Sequence, residues 1–230
     1  MELSEVMRTT AAARQFTDAP VDDATLWRLL DQARFAPSGG NAQGWHVIVV
    51  RDLGVRRRIG ELCEPIWERY VTELQAGYRP FNPVDPAPAD LPPLPEPAPH
   101  PLLGALADVP ALLVVSVDLG AVAMIDRFLD RPGLVGGGSI YPFVHNLLLG
   151  ARDAGLGSVM MTFLAGAEDA ARELLHLPGS HAIAAVVAIG QPVHQPKRLS
   201  RRPVEDFATV DRYDGGVFAM GADTTEDGRT

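Results

Sequence analysis

An α+β or α/β sandwich is the fold class this sequence predicts, and three observations predict it. Four short apolar runs, Trp45–Val50, Ala111–Val117, Ser158–Phe163 and His181–Gly190, read as strands. Stretches at helical spacing stand between them, long enough to keep successive strands from being simple hairpin partners. Proline, glycine and asparagine mark the joints, as in Pro37-Ser38-Gly39-Gly40-Asn41 and Leu177-Pro178-Gly179. A chain of 230 residues, 47% hydrophobic and 21% charged, can bury a large core as one domain.

The elements follow in order. Glu2 to about Arg8 reads as a short helix, and Thr17-Asp18-Ala19-Pro20 as a turn. Asp22 or Asp23 caps a helix with Leu26, Leu29, Leu30 and Ala33 on one face. The loop from Pro37 ends it, and Trp45–Val50 is apolar enough for a central strand. A helix from about Val55 to Gln75 carries Cys63 beside Leu62 and Ile66, which reads as a buried structural thiol. Pro80 to Pro101 holds ten of the chain's 20 prolines, so it is neither regular helix nor central strand. Such a loop is expected as a lid, a partner-binding arm or a disordered stretch. After the second strand, Ser139 to Ala154 reads as a helix ended by Gly155. Ala167 to Leu175 is a further helix, and Lys197–Pro203 is basic. These limits predict one domain over residues 1–213 with the proline insertion at about 80–101, and a mobile tail over 214–230.

Composition narrows function. The net charge is −9 and the pI about 5.1, which disfavours nucleic-acid binding. The start, Met1-Glu2-Leu3-Ser4-Glu5, is polar and acidic, unlike a secretion signal, and no apolar run is long enough for a membrane span. A single cysteine allows no intrachain disulfide, and a cytoplasmic location is expected. The six histidines show no metal-ligand spacing, and no G-x-S-x-G elbow or P-loop is present. Gly136-Gly137-Gly138-Ser139 precedes a helix without a convincing strand before it, so it is as well explained by a hinge as by a ligand loop. What remains is a set of polar groups beside apolar strands. Ser38, Asn41 and Gln43 suit a ring with donors and acceptors along one edge, and Arg14, Arg201 and Arg202 suit a phosphate. Each also has a plainer reading, as turn composition or as a solvated basic face.

The ordered motifs carry a resemblance. Arg14-Gln15-Phe16-Thr17-Asp18-Ala19-Pro20-Val21 comes first, then Ala36-Pro37-Ser38-Gly39-Gly40-Asn41-Ala42-Gln43-Gly44-Trp45. Asn146-Leu147-Leu148-Leu149 with Gly155-Leu156-Gly157-Ser158 follows, and Ile189-Gly190-Gln191-Pro192 with Arg201-Arg202-Pro203 closes the set. In this order they resemble the nitroreductase family of FMN-dependent oxidoreductases over about Met7 to Asp211. The resemblance implies an α+β three-layer sandwich: a mixed, mainly antiparallel sheet flanked by helices. It also implies a homodimer with FMN in a groove between subunits. NAD(P)H is then the electron donor, and a nitroaromatic, quinone or similar small electrophile the acceptor, in ping-pong order. The flavin does the chemistry, so no catalytic side chain is expected.

Position by position, the resemblance implies that Arg14 meets the ribityl-phosphate and that Ser38, Gly39, Asn41 and Gln43 lie near the isoalloxazine and ribityl. Thr162 and Phe163 fall where the family places backbone N–H groups near flavin N5. Arg201, with Arg202 beside it, matches the family's C-terminal phosphate arginine. Three departures stand out. Ala11 and Ala12 replace polar phosphate contacts, for which Arg8 is the candidate substitute. Gly44 replaces a proline, which is expected to loosen its loop. The proline insertion falls where the family varies its substrate lid. A dehalogenase or enone reductase of the same family, or an FMN storage protein with a lidded site, are the alternatives.

Overall fold

Four of the predicted runs are strands, and they pair into one sheet: β1 (Trp45–Val50), β2 (Ala111–Asp118), β3 (Gly157–Met161) and β4 (His181–Gly190), in the order β1-β2-β4-β3. The computed structural model describes residues 1–96 and 98–220. The chain divides into a unit of residues 1–197 and a small second unit from Arg198 onward. Residues 221–230, the end of the expected tail, lie outside the described residues. In the second unit Val204–Asp206 forms a short 3-10 turn, and Thr209 pairs with Val217.

All three ladders of the sheet are antiparallel, and the parallel component is one bridge, Ala12 with Ser158. Only β2 and β4 have neighbours on both sides, and they are buried along nearly their whole length. The expectation of a central Trp45–Val50 strand is corrected here: β1 is an edge, and just Val50 in it is fully buried. Its apolar content reflects helix cover on both faces rather than strand neighbours on both sides. The β2–β4 register slips between Val115 and Ser116, so that Ala184 has no partner and joins Ala185 in the same core. That is a β-bulge, which also turns His181 toward Ser116, 3.1 Å from its hydroxyl.

Helices cover both faces. On one, α2 (Asp23–Ala33) and α4 (Tyr141–Asp153) pack Leu26, Leu29, Val144 and Leu147 onto Leu113, Val115 and Val187. On the other, α3 (Leu53–Gln75) and α5 (Glu168–Leu175) pack Ile59, Cys63 and Ala171 onto Leu112, Val114 and Val186. The short α1 (Leu3–Thr9) precedes them. The caps are those the residues call for. Asp22 accepts from Thr25 N at 2.7 Å, and Asp52 from Val55 N at 2.8 Å, starting α3 two residues earlier than predicted. Gly155 has φ +78°, and Leu156 N donates to Ala151 O at 2.8 Å, ending α4. Two predicted limits move. α4 begins at Tyr141, because Val135–Ser139 closes as a 3-10 turn before it. β3 stops at Met161, because Phe163–Ala167 winds into another. Cys63 is 1% exposed, and burial pushes its thiol up to about 12, so it is structural, as expected.

One buried charge joins the two sides of the sheet's end. Arg56, one turn into α3, donates from Nε to Val50 O (2.9 Å) and from Nη1 to Val109 O (2.7 Å) and Ala107 O (3.3 Å). It thus ties the end of β1 to the segment that enters β2. Arg56→Met keeps the aliphatic stem but strands those carbonyls. Urea unfolding should show it less stable by about 2–4 kcal/mol; a change within error would mean that water replaces the guanidinium at no cost.

Candidate functional site

The loop before β1 is shaped by its backbone. Gly40, Asn41 and Gln43 all have positive φ, at +61°, +54° and +50°, where glycine and asparagine are tolerated and glutamine is strained. Hydrogen bonds hold the strain. Gln43 N donates to Ser38 Oγ (3.0 Å), Gly39 N to Ser139 Oγ (3.1 Å) and Gln43 Nε2 to Asn41 Oδ1 (3.2 Å). Asn41 and Gln43 remain exposed, with the Asn41 amide nitrogen and the Gln43 carbonyl left over. The expected loosening at Gly44 does not occur. A Cβ there would lie 2.8 Å from Ala121 Cβ, and Gly44 O accepts from Asp118 N at 2.8 Å. Glycine at this position allows close packing.

Arg14, Thr162 and Phe163 share a cavity of about 500 Å³ along the β3 edge. Its other wall is aromatic: Trp67 and Tyr70 from α3, and His100 with Pro101. The rings form a cluster. Trp67 stacks on Tyr70 at 5.4 Å between centroids, and Phe163 meets Trp67 edge-on at 5.7 Å and Tyr70 at 6.1 Å. Arg14 and Pro101 also line an adjoining cavity of about 240 Å³, with the Ala11–Ala13 stretch, His194 and Gln195. The two cavities together make an elongated groove, aromatic at one end and bearing an arginine at its waist. Burial, then the charge of Arg14, holds the His100 imidazole below the ordinary histidine pKa.

The proline-rich segment is anchored along α3. Arg69 donates to Pro88 O (2.6 Å) and Ala89 O (3.1 Å) and pairs with Glu73 (2.6 Å). Glu73 accepts Phe81 N at 2.7 Å, and the Trp67 indole N–H donates to Ala98 O. Of the segment's described residues, only His100 and Pro101 line the cavity beside Arg14.

The other predicted residues stand elsewhere. Ser38, Gly39, Asn41 and Gln43 lead into β1, the opposite edge from β3, and none lines the Arg14 cavity. Three strand spacings separate those edges, about 14 Å. Arg8 is exposed in the last turn of α1 and does not line the groove. Arg201 and Arg202 are exposed in the second unit, where Arg201 donates to Ser200 O at 2.7 Å. Trp67, Tyr70, His100 and His194 escape a reading of the sequence. The i,i+3 spacing of Trp67 and Tyr70 sets them on one face of a helix, but which face meets the groove is decided by the 3-10 turn at Phe163. Among the described residues no cluster of His, Cys, Asp and Glu could hold a metal, and no helix is long and apolar enough to cross a membrane.

Comparison with known proteins gives the groove a context. The family model described as Nitroreductase family matches residues 7–191. An NADH dehydrogenase of Thermus thermophilus is 29% identical over 192 residues, 84% of this chain and 87% of that protein. A nitrobenzene nitroreductase of Ectopseudomonas oleovorans is 25% identical over 239 residues, 90% of this chain and 96% of that protein. Among solved structures, the NADPH:FMN oxidoreductase of Vibrio harveyi complexed with NAD+ matches with a TM-score of 0.66 at 19% identity, over 92% of this chain and 77% of that one. That likeness is one of fold.

The Glu73 anchor has a pH signature. The backbone N–H of Phe81, and then Arg69, hold its carboxyl below the ordinary glutamate value against the opposing effect of burial. A carboxyl depressed on docking supports the docked segment above its free pKa and loses that support as pH falls through the docked one. The Phe81 amide should therefore be protected from hydrogen exchange at neutral pH and, after correction for intrinsic rates, lose protection only as pH falls below the ordinary glutamate range. Glu73→Ala should remove the protection at every pH; persistent protection would place the anchor elsewhere.

Proposed function

The chain belongs to the nitroreductase family and is an NAD(P)H-linked oxidoreductase, and from that premise we propose that it works with FMN held in the Arg14 groove. The carrying observation is the groove itself: an aromatic-walled cavity and a narrower one, joined at an arginine. A flat ring with an anionic tail has this shape and charge. The net charge of −9 repels anions at long range, so a local cation is what such a ligand needs. Arg14 would hold the tail. Thr162 and Phe163, where β3 turns into a 3-10 helix, would offer backbone N–H groups to the ring. His194 supplies a polar group beside Ala11 and Ala12, the role Arg8 was expected to fill.

The separation of the Ser38–Gln43 loop supports a site completed by a second copy. That loop adjoins Ser139, and beyond Ser139 lies an apolar surface: Ile125 and Phe128 are each 83% exposed and Leu134 78%. Large apolar side chains left this exposed near one another are what an interface between copies would cover. In a homodimer the loop of one copy would face the groove of the other, bringing its free amide groups to the flavin.

Bound there, FMN would supply the acceptor for a hydride, two electrons and a proton, from NAD(P)H and pass the electrons to a nitroaromatic, quinone or similar electrophile. The protein's part is to bind and orient. Donor and acceptor would use one groove in turn, the condition for ping-pong kinetics, and the nitrobenzene nitroreductase relative agrees with such an acceptor. A cytoplasmic setting suits the single buried thiol.

Purified protein titrated with FMN should show bound flavin bands in its visible spectrum, bleached by NADH or NADPH without oxygen. Steady-state rates at several acceptor concentrations should give parallel double-reciprocal lines. Absence of flavin bands would overturn the reading, and intersecting lines its ping-pong order. Arg14→Ala should weaken FMN about tenfold or more while sparing riboflavin, as expected for a lost charge-assisted contact to phosphate; equal weakening of both would remove Arg14 from the phosphate.

A further inference from the structure

His100 ends the proline-rich segment, and its ring nitrogens are not equivalent. Nδ1 accepts from Leu102 N (3.1 Å) and Leu103 N (3.2 Å), capping the 3-10 turn Leu103–Ala105. A ring nitrogen that accepts two N–H groups carries no proton, so a neutral ring carries its proton on Nε2. The ring is wedged edge-on between Trp67 (4.7 Å) and Phe163 (5.8 Å). Burial and the nearby Arg14 both favour the neutral form. The carboxylates of Glu64 and Glu68 line the adjoining cavity that His100 also borders. Nε2 makes no hydrogen bond among the described residues, and it is not among their sealed, unpartnered side-chain atoms.

The other polar groups on this wall differ in kind. The Trp67 N–H is committed to Ala98 O. The Tyr70 and Thr162 hydroxyls rotate, and so donate or accept equally well. Ser38, Asn41 and Gln43, the donors expected from sequence, lie outside the cavity. His100 is the neutral group locked as a donor.

We propose that His100 donates a hydrogen bond from Nε2 to the ring system held in this cavity, and that it favours the reduced, negatively charged form of that ring. The proposal rests on the FMN reading above. A fixed N–H donor stabilises an anion more than a neutral acceptor, so it acts on the redox equilibrium and not only on binding.

Two substitutions separate the donor from the cap. His100→Asn sets an amide oxygen near the place of Nδ1, keeping the acceptor for Leu102 and Leu103, and deletes the distal N–H. His100→Gln restores a distal N–H and gives up the cap. The midpoint potential of bound FMN is read by spectroelectrochemistry, with oxidised-FMN titration and thermal melting alongside. In H100N the preference for reduced over oxidised FMN should fall about tenfold, a drop of about 30 mV for a two-electron couple. H100Q should recover most of that shift although it melts earlier. FMN-loaded H100N with the wild-type potential would overturn the role of His100 and leave the flavin reading standing; wild-type protein that binds no FMN would overturn both. Should H100N not fold, the imidazole 15N and Nε2–H resonances of wild-type His100 decide: they should shift when FMN is added, and resonances that stay in place overturn the proposal.

Discussion

Strands β2 and β4 are buried on both faces and flanked by strands on both sides, and that double enclosure dictates the rest of the molecule. A sheet centre made of Leu112–Val117 and Ile183–Ile189 must be covered above and below. The chain provides two helices for each face, α2 with α4 and α3 with α5. Once both faces are taken, ligands have only the sheet's edges and ends to occupy. The groove therefore lies along β3, one edge, and the strained polar loop introduces β1, the other. The bulge at Ala184 and the buried Arg56 are local adjustments within that enclosure.

The groove joins pieces distant in sequence: Arg14, α3, the end of the proline-rich segment and the turn after β3. Each piece is held by contacts unrelated to the groove's chemistry. The Phe163 turn follows from the end of β3 pairing, and α3 is oriented by its packing through Ile59 and Cys63. His100 is positioned by Arg69, Glu73 and Trp67 acting on the segment before it. The groove's rigidity is thus borrowed from the core.

Periodicity and turn chemistry make most of the fold legible in sequence. β4 matches its apolar run residue for residue, Asp22 caps α2 as expected, and Gly155 ends α4. The failures have physical causes. Trp45–Val50 looks central because apolar content reports burial by any neighbour, while strand order depends on pairing partners that sequence does not name. Gly44 looks like a loosening because glycine is flexible in isolation; its close approach to Ala121 appears only in three dimensions. In the groove, motif order singles out Arg14, Thr162 and Phe163, and the fold brings them to one cavity. Trp67, Tyr70 and His100 are not singled out, since an aromatic helix face and a histidine among prolines read equally well as core and as loop.

The short stretch Ala12–Thr17 has a consequence outside catalysis. Ala13 N donates to Ser158 O at 2.9 Å, Thr17 N to Gln191 O at 2.9 Å, and Phe16 pairs with Pro192, so the stretch lies against the start of β3 and the chain leaving β4. The fit requires small residues: a Cβ on Gly157 would meet Ala13 Cβ at 2.8 Å. The alanines of this stretch therefore cover the sheet's backbone. Bared, that edge is a template for intermolecular strand pairing. Loss of the Ala12–Thr17 cover would therefore favour self-association through this edge.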